Sequence, residues 1–326
     1  MEPTGEVWLY FDYARKLASG LMPGFDFQAD YPGGALAIFS FVNYLSRWFP
    51  FHFAFHLLVL VAIIILLKTI WRFNKVAALV SLSALAILQA SDYKFVFERY
   101  DIFVALLTFF AVTYQAMGKW YNSFVGLGIA IGTKIYPIIL LPLFRVKKPL
   151  HVVSIVLISA VLLFYGFGPK GFFKYHANRG IEIEAVYNLA LFWQKPQVVY
   201  EAASYTFKYP SWFTLPITGL LLILSYYGQK RFNLWQNAFT TILAFLIGSK
   251  LLSPQFLIWL MPFVGFMDTK TIWLFLIATG ITSWYFTYWG QITQLQTPYF
   301  YAVLVRNAIL LFIFIRLIYI RFKGVR

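Results

Sequence analysis

The sequence has 326 residues, of which 61% are hydrophobic and only 12% are charged, with a formal net charge of +15 and no cysteine. This composition excludes an ordinary soluble domain, which is nearer half apolar and a quarter charged, and the missing cysteines exclude disulfides, thiolate metal sites and cysteine nucleophiles. The positive charge does not indicate nucleic acid as a partner, because the basic residues concentrate in short loops beside apolar runs, as the positive-inside rule predicts.

The first 50 residues predict an external region that lies on the membrane without crossing it. Glu6–Ser19 is amphipathic, and Gly20–Gly34 is rich in turn residues. Ala35–Trp48 is apolar on one side and short for a crossing, so we expect a helix in the outer interface. No cleavable signal peptide is expected, since Met1–Phe25 lacks an unbroken apolar core.

Residues 51–326 predict a transmembrane helical body. Four apolar runs come near the length of about 20 residues that a bilayer requires: Phe51–Leu67, Pro149–Phe164, Thr271–Tyr288 and Tyr301–Ile320. With the shorter runs between them, they predict eleven crossings, a large external loop at 166–210 and a cytoplasmic carboxyl terminus. The fold class is therefore all-α: a polytopic transmembrane bundle with an external-face cavity.

Two apolar segments predict helices broken in the middle. Tyr121–Phe144 has basic loops at both ends. A single crossing would place one of these loops outside, against the positive-inside rule. We therefore predict two short helices with a hinge near Thr133–Pro137. Gln236–Phe266 has a similar hinge at Lys250–Pro254. Broken helices are tolerated where the freed backbone faces protein or a watery cavity, and paired breaks can mark a binding site.

Each predicted break carries a lysine, Lys134 in the first and Lys250 in the second. Ionisable residues at membrane depth are costly and indicate function. One interpretation is that both lysines hold an anionic headgroup at the mouth of the cavity. The alternative is that both extend to the outer interface, as long basic side chains do near a membrane.

Acidic residues gather on the predicted external side, and only Asp268 of the 12 lies in a predicted internal loop. Glu6 and Asp30 precede the first firm crossing and are candidates for a catalytic base. Asp101 stands at the entry of a predicted helix at Ile102–Met117, where it can cap free backbone donors or take part in chemistry.

The densest polar cluster is the external segment 175–184. Arg179 can grip a phosphate with paired donors, and His176 lies three residues earlier. Glu182 and Glu184 flank Ile183 and would share one face of an extended stretch. The alternative is a solvated loop with local ion pairs. His52 and His56 have the i,i+4 spacing of metal ligands, but without a third ligand a packed or interfacial pair is favoured.

Taken in order, these stretches resemble the GT-C glycosyltransferases, and specifically glycosyltransferase family 87. The matching residues are Glu6-Val-Trp-Leu-Tyr10, Asp26-Phe with Asp30-Tyr-Pro, Arg99-Tyr-Asp101, Gly132-Thr-Lys-Ile-Tyr-Pro137, His176 through Glu184, and Ser253-Pro-Gln-Phe-Leu-Ile-Trp259. Each stretch is weak alone, and the ordered set is fairly specific.

The sequence departs from the family pattern at three points. The family has aspartate where this chain has Glu6, and it often has Glu-Tyr-Pro-Pro where this chain has Asp30-Tyr-Pro-Gly33. Family members also have a transmembrane helix before the first external carboxylate, which this sequence does not show. One more helix would make the number of crossings even and place the amino terminus inside.

The resemblance implies an inverting transferase that moves a hexose, usually mannose, from a polyprenyl-phosphate donor to an acceptor hydroxyl of a glycolipid or glycan at the external membrane face. It implies Glu6, Asp30 and Asp101 as catalytic candidates, with Glu6 the first choice for the base. The residues it implies for binding the donor are Arg99, Lys134, His176, Arg179, Glu182, Lys250 and Gln255. No metal or other cofactor is expected, because the donor carries a single phosphate ester.

A flippase or transporter for lipid-linked sugars is the alternative function. It would also need broken helices and basic groups at mid-depth, together with a polar path to the inside. The polar residues within the predicted crossings, mainly Gln89 and Arg306, do not trace such a path.

Overall fold

The computed structural model describes residues 5–91, 95–167, 180–191, 198–201, 204–208, 211–288, 291–292 and 297–323. It is 77% helical, which confirms the predicted all-α class. The described strands form one small antiparallel sheet of order β1-β3-β2, in which β1 is Ile181–Glu182, β2 is Val198–Glu201 and β3 is Ser204–Phe207. Phe207 of β3 is the register partner of both Ile181 and Val198.

Eight α-helices are described before residue 168. They are α1 Gly5–Ala18, α2 Gly33–Leu45, α3 Phe51–Phe73, α4 Lys75–Gln89, α5 Phe95–Glu98, α6 Asp101–Ala116, α7 Trp120–Thr133 and α8 Pro149–Phe167. A 3₁₀ helix at Tyr136–Leu143 follows α7.

Six α-helices are described after residue 187. They are α9 Asn188–Leu191, α10 Thr214–Tyr226, α11 Leu234–Gly248, α12 Met261–Val264, α13 Thr269–Thr287 and α14 Pro298–Phe322. Two 3₁₀ helices, Gln229–Arg231 and Pro254–Trp259, lie between them.

Within the described residues, three helices are long and apolar enough to cross a membrane: Phe51–Phe73, Pro149–Gly166 and Pro298–Phe322. They correspond to three of the four long apolar runs seen in the sequence. The fourth run forms α13, whose length is sufficient but whose threonines and serine lower its hydropathy. The total of eleven crossings and the division of the chain at residue 50 stay predictions.

The chain divides into two compact units, each with its own helix contacts. The first unit contains Met1–Lys68 and Val96–Asn178. In it α7 packs on both α6 and α8, and α2 packs on α1, α7 and α8. The second unit contains Thr69–Phe95 and Arg179–Arg326. In it α13 packs on α4 and α14, and α11 packs on α10 and α14.

Both predicted helix breaks are present. Helix α7 ends at Thr133, and Lys134 has extended backbone angles (φ −158°, ψ 137°) before the 3₁₀ helix begins. Helix α11 ends at Gly248, Ser249 is extended (φ −71°, ψ 142°), and a second 3₁₀ helix starts at Pro254. A helix end leaves backbone groups unpaired, so each break needs hydrogen-bond partners from outside its own helix.

Glycines allow α2 to approach α7 and α8 closely in the first unit. A Cβ atom built on Gly34 would lie 2.7 Å from the carbonyl oxygen of Gly132, and one on Gly33 would lie 2.7 Å from that of Leu162. Backbone atoms cannot move aside as a flexible side chain can. These contacts therefore fix α2, and the loop that precedes it, against the last turn of α7, directly before Lys134.

We expect Gly34→Ala to destabilise the protein by about 1–3 kcal/mol, the usual cost of overpacking. The matched control is Gly219→Ala in α10, because a Cβ atom at Gly219 meets nothing within 4 Å. That change should be neutral or stabilise by up to about 1 kcal/mol, since alanine is the better helix former. Thermal unfolding in detergent micelles measures both, and equal midpoints would contradict the close packing.

Candidate active site

The carboxylate of Glu6 is held by two donors in the first unit. Glu6 lies in the first turn of α1, where the partial positive charge of the helix end favours an anion. One of its oxygens forms an ion pair with Arg99, which lies in the turn between α5 and α6. The other accepts a hydrogen bond from the Tyr31 hydroxyl at 3.3 Å. The Glu6 side chain nevertheless keeps 31% of its surface exposed.

Burial and the neighbouring carboxylate shift the pKa of Arg99 in opposite directions. Burial is the largest single effect and lowers the pKa of the Arg99 guanidinium, but the charge and hydrogen bond of Glu6, together with Tyr10 and Tyr31, outweigh it, and the pKa stands above its usual value. Burial also raises the pKa of the Tyr31 hydroxyl well above its usual value. Arg99 therefore stays a cation and Tyr31 stays a donor, and both hold the Glu6 side chain in place.

A second ion pair joins Asp101 to Lys134. The Lys134 Nζ atom lies 2.7 Å from Asp101 Oδ1, and the Asp101 side chain is only 1% exposed. Lys134 also lies over the ring of Tyr100, 4.9 Å from its centroid, in a cation–π contact. Asp101 is the first residue of α6, and Tyr100 occupies the N-cap position before it.

Tyrosine rings connect the two ion pairs. The Tyr31 ring meets the Tyr100 ring edge to face at 5.2 Å between centroids. Tyr10 contacts both of these rings edge to face, at 5.7 and 5.9 Å, and it stacks on Phe39 at 4.4 Å. Such arrangements are the favoured geometries of aromatic pairs. The ring cluster fixes the residues that bind Glu6 and Lys134 in one neighbourhood.

Asp30 lies at the edge of this neighbourhood. Its Oδ2 atom accepts a hydrogen bond of 3.1 Å from the Tyr13 hydroxyl, and the Tyr13 and Tyr31 rings are 5.9 Å apart. Burial raises the pKa of the Asp30 carboxyl, and the Tyr13 hydrogen bond only partly opposes this. Asp30 is therefore a better proton acceptor than an ordinary exposed aspartate.

His56 has an acidic partner that its spacing from His52 does not reveal. Its Nε2 atom lies 3.2 Å from Glu98 Oε1, while the two histidine rings are 6.3 Å apart. In the described part of the chain, no three histidine, aspartate or glutamate side chains are grouped closely enough to hold a metal ion.

In the second unit, Glu182 supports the break after α11. Its carboxylate Oε2 accepts a hydrogen bond of 2.8 Å from the backbone N–H of Leu252, and its own N–H donates to the carbonyl oxygen of Lys250 at 2.9 Å. The Lys250 Nζ atom donates to Ser211 Oγ at 3.1 Å. Gln255 lies in the 3₁₀ helix that follows and accepts a hydrogen bond of 2.7 Å from Ser253.

Glu184 belongs to a separate buried cluster. Its Oε1 atom accepts a hydrogen bond of 2.7 Å from the Tyr285 hydroxyl, and its carbonyl oxygen accepts one of 2.9 Å from Arg306 Nη2. Arg306 and the neighbouring Asn307 are fully buried in α14. Asn307 donates to the carbonyl oxygen of Ala185 at 2.9 Å. These bonds attach the segment after β1 to α14.

The extended stretch expected around Ile183 was therefore wrong beyond Glu182. The strand ends at Glu182, and the hydrogen bond from Ala185 N–H to the Glu182 carbonyl forms a turn. Both glutamates are buried, at 2% and 3% exposure, and each faces its own partner. The solvated-loop alternative does not hold for these two residues.

The structure thus brings together five of the predicted site residues in the first unit: Glu6, Asp30, Arg99, Asp101 and Lys134. Three more, Glu182, Lys250 and Gln255, lie at the break in the second unit. His176 and Arg179 lie outside the described residues, so their roles stay predictions.

Sequence reasoning missed the tyrosines as part of the site. A signal was available, because Tyr31 directly follows Asp30, and Tyr100 stands between Arg99 and Asp101. It also missed Asn307, although Arg306 beside it was noted as a rare polar residue within an apolar run. Neither the pairing of Glu98 with His56 nor that of Tyr13 with Asp30 follows from spacing along the chain.

Fold and site together define a helical membrane protein with paired charges among tyrosines at helix ends. Residues 30–172 match the model of glycosyltransferase family 87. This match confirms the family resemblance found in the motifs, and the class it supports is a membrane glycosyltransferase. The matched range contains Asp30, Arg99, Asp101 and Lys134, whereas Glu6 precedes it. No curated protein matches this chain.

We expect Lys134→Met to destabilise the protein strongly, because it leaves the buried Asp101 carboxylate without its cation. Breaking a buried ion pair typically costs on the order of 3–5 kcal/mol. The matched control is Lys16→Met, since Lys16 forms a comparable ion pair with Asp12 at a more exposed position. Breaking an exposed pair should lower the stability by about 1 kcal/mol or less. The midpoint of thermal unfolding in micelles compares the stability of the two variants. If Asp101→Asn restores stability to Lys134→Met, the unpaired Asp101 charge is the cause of the loss.

We expect Glu182→Leu to destabilise the break after α11 by about 1–3 kcal/mol, because the buried N–H of Leu252 loses its acceptor. Glu182→Gln retains an oxygen at the same place and should cost less. Fluorescence-detected gel filtration after heating gives the surviving folded fraction of each variant. Equal losses in the two variants would show that the acceptor oxygen is not what matters.

Proposed function

We propose that the protein is an inverting glycosyltransferase that moves a hexose, with mannose favoured, from a polyprenyl-phosphate donor to an acceptor hydroxyl at the external membrane face. The observation that carries the proposal is the Glu6 carboxylate, which is fixed by Arg99 and Tyr31 while part of it stays accessible. The family match over residues 30–172 supports sugar transfer as the reaction.

In the proposed step, the acceptor oxygen attacks the anomeric carbon as the bond from that carbon to the phosphate oxygen breaks. The acceptor proton passes to a carboxylate, and the electron pair of the broken bond leaves on the polyprenyl phosphate. A single displacement from the opposite face inverts the anomeric centre. General-base assistance of this kind is typically worth about 10²–10⁴ in rate.

Accessibility ranks the three candidate bases. Asp101 is almost fully buried and paired with Lys134, so we assign it a positioning role. Glu6 remains the first choice, because it is both accessible and oriented. Asp30 is the second choice, since burial raises the pKa of its carboxyl and makes it a better proton acceptor.

Basic groups would stabilise the phosphate as it leaves, which is often a major contribution to catalysis. We assign this role to Arg179 and His176 from their sequence pattern, and to Lys250, whose ammonium group lies beside Ser211 at the second break. Arg99 and Lys134 are already paired with carboxylates, so their first role is to hold Glu6 and Asp101 in place. Gln255 stays a candidate for binding the donor, whereas Glu182 is buried and bonded at the second break, so we assign it a structural role.

We expect Glu6→Gln to lower kcat by about 10²–10⁴-fold with little change in KM for the donor, because the glutamine cannot accept the proton. The assay is sugar transfer from a polyprenyl-phosphate mannose in membranes. Asp12→Asn is the matched control, since Asp12 is an acid of the same helix that pairs with Lys16 rather than with Arg99. Unchanged turnover in Glu6→Gln would show that Glu6 is not the general base.

Asp30→Asn and a pH profile decide between the two accessible acids. A base works only when deprotonated, so activity is lost as the pH falls through its pKa. If Asp30 is the base, its raised pKa places that loss at a higher pH than an ordinary aspartate would, and the loss disappears in Asp30→Asn. If Glu6 is the base, Asp30→Asn retains the acid limb and most of the activity.

A further inference from the structure

The turn between α5 and α6 carries three charged side chains, and each pairs with a residue of another element in the first unit. The three pairs are Glu98–His56, Arg99–Glu6 and Asp101–Lys134. Two of them belong to the candidate active site, whereas the pair of Glu98 with His56 has no part in the proposed reaction. All three fix the turn, and the turn carries the guanidinium that binds Glu6.

His56 meets Glu98 from the second turn of α3. Its Nε2 atom lies 3.2 Å from Glu98 Oε1 and is enclosed by protein, in the geometry of an ion pair rather than of a hydrogen bond. The His56 ring also meets the Phe97 ring edge to face, at 6.0 Å between centroids. Helix α3 is itself packed on α1, since the Phe55 ring lies 5.3 Å from that of Tyr10. The imidazole therefore contacts the last two residues of α5 from a helix that is held in place.

The other carboxylate oxygen of Glu98 lies beside the start of α1. A Cβ atom built on Gly5 would lie 3.9 Å from Glu98 Oε2, and Gly5 directly precedes Glu6. The helix dipole places partial positive charge at this end of α1, which favours a carboxylate there. Glu98 therefore connects α3 to the end of α1 that carries the first candidate base.

Two carboxylates, those of Glu6 and Glu98, thus lie at the start of one helix, and the guanidinium of Arg99 pairs with Glu6. His56 gives Glu98 a partner of its own. The side chains of His56 and Glu98 are 32% and 26% exposed, so salt screens their attraction less than it would screen that of a fully exposed pair. This division of partners matches one basic side chain to each acid.

We propose that His56 and Glu98 are positioning residues for Glu6: their pairing fixes the turn that carries Arg99 and leaves its guanidinium to Glu6. The proposal rests on the proposed function, because Glu6 is the base assigned there. Without His56, Glu98 competes with Glu6 for Arg99, which is its neighbour in the chain. Glu6 is then present but misaligned, and a misplacement of about 1 Å can lower the rate of a chemical step by about 10²-fold.

Replacing each member of the pair tests this role in the transfer assay. His56→Leu should lower kcat about 10–100-fold, with KM for the donor unchanged. Glu98→Gln retains the shape of the side chain and should cause the same loss. His52→Leu is the matched control, because His52 lies about one turn earlier on α3 while Glu98 pairs with His56. This control should change neither kcat nor KM.

The Glu6→Gln variant as a background separates positioning from general damage. Residues that act as a unit are not additive, so His56→Leu should reduce the residual turnover of Glu6→Gln no further. A further loss as large as that in the wild-type background would show that His56 acts independently of Glu6, and it would overturn the proposal. Unchanged kcat in both His56→Leu and Glu98→Gln would overturn it as well.

Hydrogen–deuterium exchange gives a readout that needs no turnover. The backbone amides of residues 96–101 should exchange faster in His56→Leu and Glu98→Gln than in wild type, because the turn opens more often when it is held less well. They should exchange at the wild-type rate in His52→Leu. Equal exchange in all four proteins would overturn the proposal. If wild type transfers sugar from no polyprenyl-phosphate donor, the proposed function is wrong, whereas the exchange rates still decide whether the pair fixes the turn.

Discussion

The structure depends on the pairing of charges that sit where helices end. A carboxylate in the first turn of a helix is favoured by the helix dipole, but burying it without a counter-charge is costly. Asp101 meets this constraint by pairing with Lys134, and Lys134 can reach it because α7 stops one residue earlier. A continuous helix would carry that lysine along its apolar surface, so the break and the ion pair require each other.

Close backbone packing holds this arrangement in place. Gly34 lies against the last turn of α7, so the loop containing Asp30 and Tyr31 is fixed near the break that carries Lys134. Tyr31 and Tyr100 then fill the space between the two ion pairs. Bulky aromatic rings suit this position, since their faces and edges pack against one another while the Tyr31 hydroxyl still donates a hydrogen bond to Glu6.

In the second unit, a glutamate stabilises a helix break by hydrogen bonds to the backbone rather than by an ion pair. The break after α11 exposes backbone donors and acceptors that α11 itself cannot satisfy. Glu182 supplies a carboxylate for the Leu252 N–H and a backbone donor for the Lys250 carbonyl. Glu182, which the sequence placed in an external polar segment, thus stabilises the helix break through hydrogen bonds.

The sequence by itself determined the class of fold and the positions of both breaks, and it supplied most of the charged residues that are candidates for the site. These features are local, because hydropathy, charge and proline act along the chain. Only the tertiary structure decided which carboxylate meets which cation, that Asp101 is buried while Glu6 stays accessible, and that Glu182 and Glu184 turn to separate partners. Such pairings join residues as far apart as Glu6 and Arg99, and they depend on how helices pack, which no spacing along the chain reports.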